Sequence, residues 1–199
     1  MELQQLLSDM PDKTEFTTTT THKFKEDLWN FFNKPMYKDL TFVEFGTATG
    51  HTTKLVSYLF KEVHTINIGI NPKSVEYLAG LNNVHLHAFD LYKSNASSWK
   101  KIPTGDVFLI DAKHTYHGVL FDINSALTKL SSTLDKKILV FDDYGAFPEV
   151  KKAVDESIQK GRIKEIARIG HPIGYNYGKP VGSTTRTMSD SEGIICQEV

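Results

Sequence analysis

Asp111 closes one apolar run (DVFLI, residues 106–110), and Asp142 and Asp143 close another (KILVF, residues 137–141). Parallel strands share a carboxyl rim, so these acids would converge although they lie far apart in sequence. A lone acid at a strand end is more often a cap for the next helix. Three acids on one rim repel one another and together supply oxygen ligands for a hard cation such as magnesium. His114 follows Asp111 by three residues, in the loop before a helical pattern. An imidazole there is placed to take a proton from a metal-bound hydroxyl near neutral pH. His117, one helical turn further on, could stand in for it.

A second chemical feature is FVEFGTATGHTT, residues 42–53. Phe42, Val43 and Phe45 favour a buried strand. Residues 46–50 form a small-residue turn, and Thr52 and Thr53 offer caps to a helix carrying Leu55, Val56, Leu59 and Phe60. Strand, glycine turn and helix in that order gather free backbone N–H groups and the positive helix end around one point, where nucleotide-like ligands bind. The spacing is G-x-x-x-G, which is neither the dinucleotide fingerprint nor a phosphate loop. Glu44, an acid on the strand, would repel a pyrophosphate and suits a ligand carrying positive charge. His51 sits beside the turn.

Composition bounds what these groups can serve. With 199 residues, 40% hydrophobic and 24% charged, the chain fits one globular domain with a real core. A formal net charge of -1 without a dense Lys/Arg run gives no footprint for nucleic acid or anionic membrane. The single cysteine, Cys196, excludes an internal disulfide framework. No apolar stretch approaches membrane-spanning length and the N-terminus lacks signal-peptide features, so a reducing, cytoplasmic location is expected.

The elements that must position these residues alternate from Leu40 onward. Leu3, Leu6, Leu7 and Met10 predict a first helix stopped by Pro11, and a threonine run (residues 17–21) follows as an arm or loop. Phe24, Leu28, Trp29, Phe31 and Phe32 predict a second helix from about His22, suited to cap the sheet or to meet a second subunit. Residues 63–68 and 84–89 read as strands. Between them Asn71 and Pro72 open a helix whose buried face is Val75, Leu78 and Leu81. Long helices follow around Val119 to Leu130 and from Pro148 to Gly161. Residues 162–169 and 193–197 predict an antiparallel hairpin closing an otherwise parallel, doubly wound sheet. The expected organisation is a helical cap (1–39) on a single α/β core (40–199). Of the eight histidines most read as structural. His85 and His87 share one face of a short strand, and His64 lies on another, a placement that marks none of them as ligands. His171, in a Gly/Pro loop, has no assignable role.

FVEFGTATGHTT, DAKHTYHGVLFDI (111–123) and FDDYGAFPEVKKAVDE (141–156) together resemble class I S-adenosylmethionine-dependent methyltransferases. They look most like the metal-dependent sugar O-methyltransferases of the macrocin and mycinamicin type. The DDYG…P-x-V-K-x-A-V-D stretch is the most specific part. The resemblance spans residues 40–160 and implies a Rossmann-like seven-stranded sheet in the order 3-2-1-4-5-7-6, the last strand antiparallel. It implies that Glu44, Gly46 and Gly50 line the cofactor and that Asp90 faces its adenine; Thr47, Ala48, His51 and Asp111 beside them are further candidates for cofactor contact. It further implies magnesium on Asp111, Asp142 and Asp143, with His114 as catalytic base. Lys113 stands where some relatives carry another acid. The family's ribose-binding acid at the end of the second strand is missing, and Asn67 or Gly69 takes its place. A charged hydrogen-bond partner contributes about 1.5–3 kcal/mol against about 0.5–1.5 for a neutral one, so Asn67 would weaken cofactor binding about tenfold.

The expectation is a magnesium-assisted, S-adenosylmethionine-dependent O-methyltransferase acting on a small hydroxylated substrate, with a sugar indicated by the resemblance. No nucleic-acid or membrane partner is expected; a homo-oligomer is compatible with the aromatic second helix. Two alternatives stand beside it: a catalytically idle S-adenosylmethionine-binding module and a metal-dependent hydrolase or lyase.

Overall fold

In the computed structural model, which describes residues 2–13, 19–93, 95–176 and 187–199, β1 (Thr41–Phe45) lies at the centre of the sheet with all five residues buried. Its alternation divides the core. Val43 and Phe45 enter one apolar layer, and Phe42 enters the other. The remaining strands are β2 (Glu62–Asn67), β3 (Val84–Ala88), β4 (Val107–Ile110), β5 (Ile138–Phe141), β6 (Ile163–Ile169) and β7 (Gly193–Glu198). They form one seven-stranded sheet in the order β3-β2-β1-β4-β5-β7-β6. Only β7 runs antiparallel to its neighbours β5 and β6. This is the expected Rossmann-like α/β topology.

Helices cover both faces. On the Phe42 side lie α1 (Leu3–Ser8), α2 (His22–Phe32) and α3 (His51–Ser57), through Leu6, Leu7, Phe24, Leu28, Phe32 and Leu55. On the Val43 side lie α5 (Ala96–Trp99), α6 (Tyr116–Thr128) and α7 (Pro148–Gln159), through Trp99, Val119, Ile123, Val150 and Val154. Phe24, Leu28 and Phe32 are fully buried within this chain, and each such side chain stabilises by about 1.5–3 kcal/mol. Phe24, Leu28 and Phe32 therefore cap the chain's own sheet, while Trp29 and Phe31 are half-buried. A Cβ on Gly193 would lie 2.4 Å from Phe24 Cε2, so the helix sits directly on the β7 backbone.

One helix departs from expectation. α4 (Pro72–Tyr77) is capped by Asn71, whose side chain accepts from Lys73 N, but it ends after six residues. Leu78 is buried while Val75 is 47% exposed, so only part of the expected apolar face turns inward. Of the threonine run, residues 17 and 18 lie outside the described residues, as do 177–186 of the β6–β7 connection. Thr19, Thr20 and Thr21 are buried. They are a packed joint: Thr21 caps α2 by accepting from Phe24 N and donates from Oγ1 to the buried Glu192 at 2.6 Å.

The DDYG…V-K-x-A-V-D stretch is a hydrogen-bonded hinge between β5 and α7. Tyr144 OH donates to Asp155 Oδ1 at 2.6 Å, and Lys151 Nζ donates to Tyr144 OH at 2.7 Å and to Asp190 Oδ2 at 2.9 Å. It holds the acids that end β5 in place.

Candidate active site

A cleft of about 320 Å³ opens at the carboxyl ends of β1, β2, β3 and β4, lined among others by Gly46, Ala48, Asn67, Asp90, Asp111 and Lys113. Gly46 makes this possible. Its φ is +104°, and a Cβ there would lie 2.2 Å from the Asp111 carbonyl oxygen, so only glycine lets the turn after β1 lie against the end of β4. Asn67 closes β2 and lines the cleft, donating from Nδ2 to Gly69 O at 3.0 Å. Gly69 is not among the lining residues. Asp90 accepts from Tyr92 N at 3.0 Å, which fixes the turn after β3.

Four of the residues expected to contact the ligand lie outside the lining of this cleft. Glu44 is 2% exposed and does not line the cleft. Its Oε2 accepts from Thr53 Oγ1 at 2.5 Å and from Thr65 Oγ1 at 2.6 Å, because alternation along β1 aims it under α3. Burial pushes this carboxyl up to about 8 against the pull of the two hydroxyls. Thr47 likewise turns inward to Thr65 Oγ1 at 2.6 Å. Gly50 packs on Leu78, where a Cβ would lie 2.9 Å from Cδ1. His51 faces a separate hollow of about 230 Å³ beside Pro11, Thr49 and Tyr77, where burial lowers it to about 4.

Next to the cleft the rim acids meet. Asp111, His114 and Asp143 each offer a ligand atom within 4.8 Å of the others. His114 Nε2 lies 3.3 Å from Asp111 Oδ1 and 3.4 Å from Asp143 Oδ2. Its ring packs on Phe147 with centroids 4.3 Å apart. Burial alone would lower the imidazole, but the Asp111 hydrogen bond and the Asp143 charge raise it above its ordinary value. Burial and the Asp143 charge raise Asp111 as well. Asp143 has φ +58°, an unusual backbone for a non-glycine residue.

Asp142 departs from the expected ligand trio. It stands behind the group, with Oδ2 at 3.4 Å from Lys13 Nζ, while Oδ1 is buried without a hydrogen-bond partner among the described residues. Burial raises it well above the carboxylate range despite Lys13. Lys13 Nζ also lies 2.8 Å from Asp143 Oδ1 and so supplies an ammonium among the acids. A second cation, Lys25, is fully buried below it. Its Nζ donates to Thr20 O at 2.5 Å and Thr19 Oγ1 at 3.1 Å, and burial lowers it to about 8. Both lysines come from the N-terminal segment, and no periodicity or motif marks them in the sequence.

The remaining histidines sort by position. His117 is exposed and stacks edge-on against Tyr116, outside the group formed by Asp111, His114 and Asp143. His171 stacks on Tyr175 with centroids 3.5 Å apart. His64, His85 and His87 converge, against the expectation from their spacing: β2 pairs with β3 in the register His64↔His85, which puts all three on one face.

A cleft at strand carboxyl ends, a glycine turn after the first strand and this strand order define the class I methyltransferase fold. Comparison with known proteins agrees. The family described as "Methyltransferase domain" matches residues 43–144. The chain belongs to this family and is an S-adenosylmethionine-dependent methyltransferase. No curated protein sequence matches it. Among solved structures it is similar to a candidate RNA methyltransferase from Pyrococcus horikoshii (14% identity, 99% of this chain and 97% of that one, TM-score 0.65). It is also similar to the tRNA (m1A58) methyltransferase from Aquifex aeolicus (15% identity, 100% of this chain and 76% of that one, TM-score 0.64). A candidate methyltransferase from Streptococcus mutans in complex with S-adenosylhomocysteine shares 15% identity over 87% of this chain and 97% of that one, with a TM-score of 0.58.

Proposed function

We propose that this methyltransferase transfers its methyl group to a hydroxyl of a small acceptor, with His114 as the base and a divalent cation on the rim acids. One observation carries the reading: Asp111, His114 and Asp143 gather within 4.8 Å of one another at the edge of the cofactor cleft. The buried, unpartnered Asp142 Oδ1 and the raised Asp111 and Asp142 fit a demand for more positive charge than Lys13 provides. S-adenosylmethionine supplies an electrophilic methyl group, and magnesium lowers the pKa of a bound hydroxyl. Asn67 and Asp90 would hold the nucleoside part in the cleft. Asp111 and Asp143, with Asp142 behind them, would hold the cation. With a cation taking up the Asp111 and Asp143 charge, the His114 imidazole would be neutral and could accept the hydroxyl proton.

The small-molecule reading draws support from the formal net charge of -1, since phosphate-backbone binding rests on clustered cations. The solved neighbours named as RNA methyltransferases share 14–15% identity with the chain, a level that supports the fold alone. A sugar acceptor rests on the sequence resemblance only. The position of Lys13 favours a second reading, in which the ammonium takes the place of the metal and transfer needs none.

The test is methyl transfer from labelled S-adenosylmethionine to a panel of sugars, other polyols and phenols, and to RNA, in magnesium and in chelator. The expected result is transfer to a hydroxylated small molecule that chelator abolishes and magnesium restores. Transfer to RNA alone would overturn the acceptor class. Undiminished transfer in chelator would favour the Lys13 reading.

A further inference from the structure

The parallel register of β2 and β3 stacks imidazoles at the sheet edge. His64 and His85 lie ring on ring with centroids 4.7 Å apart, and the His64 and His87 rings are nearly parallel with centroids 5.2 Å apart. His85 Nε2 lies 2.6 Å from Glu62 Oε2, and His64 Nδ1 lies 2.9 Å from His87 Nε2. One ligand atom each from Glu62, His64 and His85 falls within 4.8 Å of the others.

A second observation points to a ligand. His64 is 4% exposed, and its Nε2 is buried with no hydrogen-bond partner among the described residues. Orphaned buried polar atoms are costly and rare in folded proteins. With Nδ1 engaged by His87, Nε2 is the nitrogen left for an ion. That arrangement repeats the one found in protein metal sites, where the second ring nitrogen of a ligating histidine is held by an outer partner that sets its tautomer. His85 and Glu62 have side chains 43% and 39% exposed, so they can close on an ion from the solvent side.

We propose that Glu62, His64 and His85 bind a single borderline divalent metal ion, zinc foremost, which clips β2 to β3, with His87 orienting His64. Two imidazoles and one carboxylate suit zinc and its transition-metal neighbours, whereas magnesium prefers all-oxygen sites. Solvent fills the fourth position. The site lies in the body of the strands, apart from the methyltransferase cleft, so it acts on the stability of the cofactor-bearing sheet edge.

The test uses the full chain without a histidine tag, stripped with chelator, and zinc chloride as the probe. Calorimetric titration and thermal melting are read for the parent protein and for His85→Ala, Glu62→Gln, His87→Ala and the rim variant Asp143→Asn. The expected result is a zinc-binding event in the parent that persists in Asp143→Asn and is weakened at least about tenfold in His85→Ala and in Glu62→Gln. His87→Ala weakens it by about 10–100-fold through the lost orienting bond. Zinc raises the melting temperature of the parent by more than that of His85→Ala. The proposal is overturned if the parent takes up no zinc, if His85→Ala binds it as the parent does, or if the event disappears with Asp143→Asn alone. Parent-like zinc affinity in His87→Ala would remove the orienting role.

Discussion

Among the described residues, histidine and carboxylate gather in two clusters, and the two differ in what surrounds them. At the rim, the Asp142 and Asp143 side chains are 2% and 6% exposed, and a lysine from the far N-terminal segment lies between them. On the sheet edge, Glu62 and His85 are 39% and 43% exposed and the partners come from adjacent strands. Burial strengthens every interaction at the rim and makes each unpaired charge there expensive. Water screens the edge pair, so its intrinsic contribution is small. Loops at strand ends can also be re-aimed around a reacting group, whereas register fixes residues in the body of a strand. On the readings proposed above, the same residue types would serve chemistry in one place and stabilise the sheet in the other.

The comparison breaks first at His114. His114→Ala should lower turnover by about 10²–10⁴ while S-adenosylmethionine affinity, read by calorimetry, stays close to the parent value. A variant with full turnover would remove the rim from the chemistry. Next in size is Lys13→Ala, which strips the ammonium from two buried carboxylates. It should cost about 3–5 kcal/mol in chelator, read from denaturant midpoints, and magnesium should recover much of the loss. A loss that magnesium does not recover would argue against a cation site.

A smaller effect separates buried from solvated acids. The Glu44 carboxyl is raised from 4.5 to about 8, so the native state holds a proton that the unfolded chain releases. Its contribution is present in full below the unfolded value and is lost as pH rises toward 8. Thermal stability should fall across that window, and Glu44→Gln should flatten the slope, because an amide oxygen can still accept from Thr53 and Thr65. An unchanged slope would show that Glu44 does not govern it. The smallest effect is expected at the edge. In metal-free protein His85→Ala should change stability by less than about 1 kcal/mol, as befits a half-exposed hydrogen-bonded pair. A larger loss would show that the two regions differ less than their exposure suggests.

Much of this architecture is written locally. Phe42, Val43 and Phe45, the glycine turn behind them, and the runs ending at Asp111 and at Asp142–143 show their secondary structure through short-range apolar patterning. Once the strands are parallel, their ends must share a rim, so the convergence of Asp111, His114 and Asp143 was legible. Side-chain direction was less so. Glu44 looked like a group offered to a ligand, yet strand alternation turned it under α3 to the Thr53 and Thr65 hydroxyls. Val75 fitted a helical stripe, but α4 stops too soon to bury it.

The sequence by itself determined the order of strands and helices and the acids that close them, because apolar periodicity and turn chemistry act over a few residues. Tertiary structure alone decided that Lys13 reaches Asp142 across 129 positions, that Lys25 is buried beneath the rim, and that His64 stacks on His85. Those outcomes follow from sheet order, register and the joint packing of distant segments, and a local stretch of chain carries no record of them.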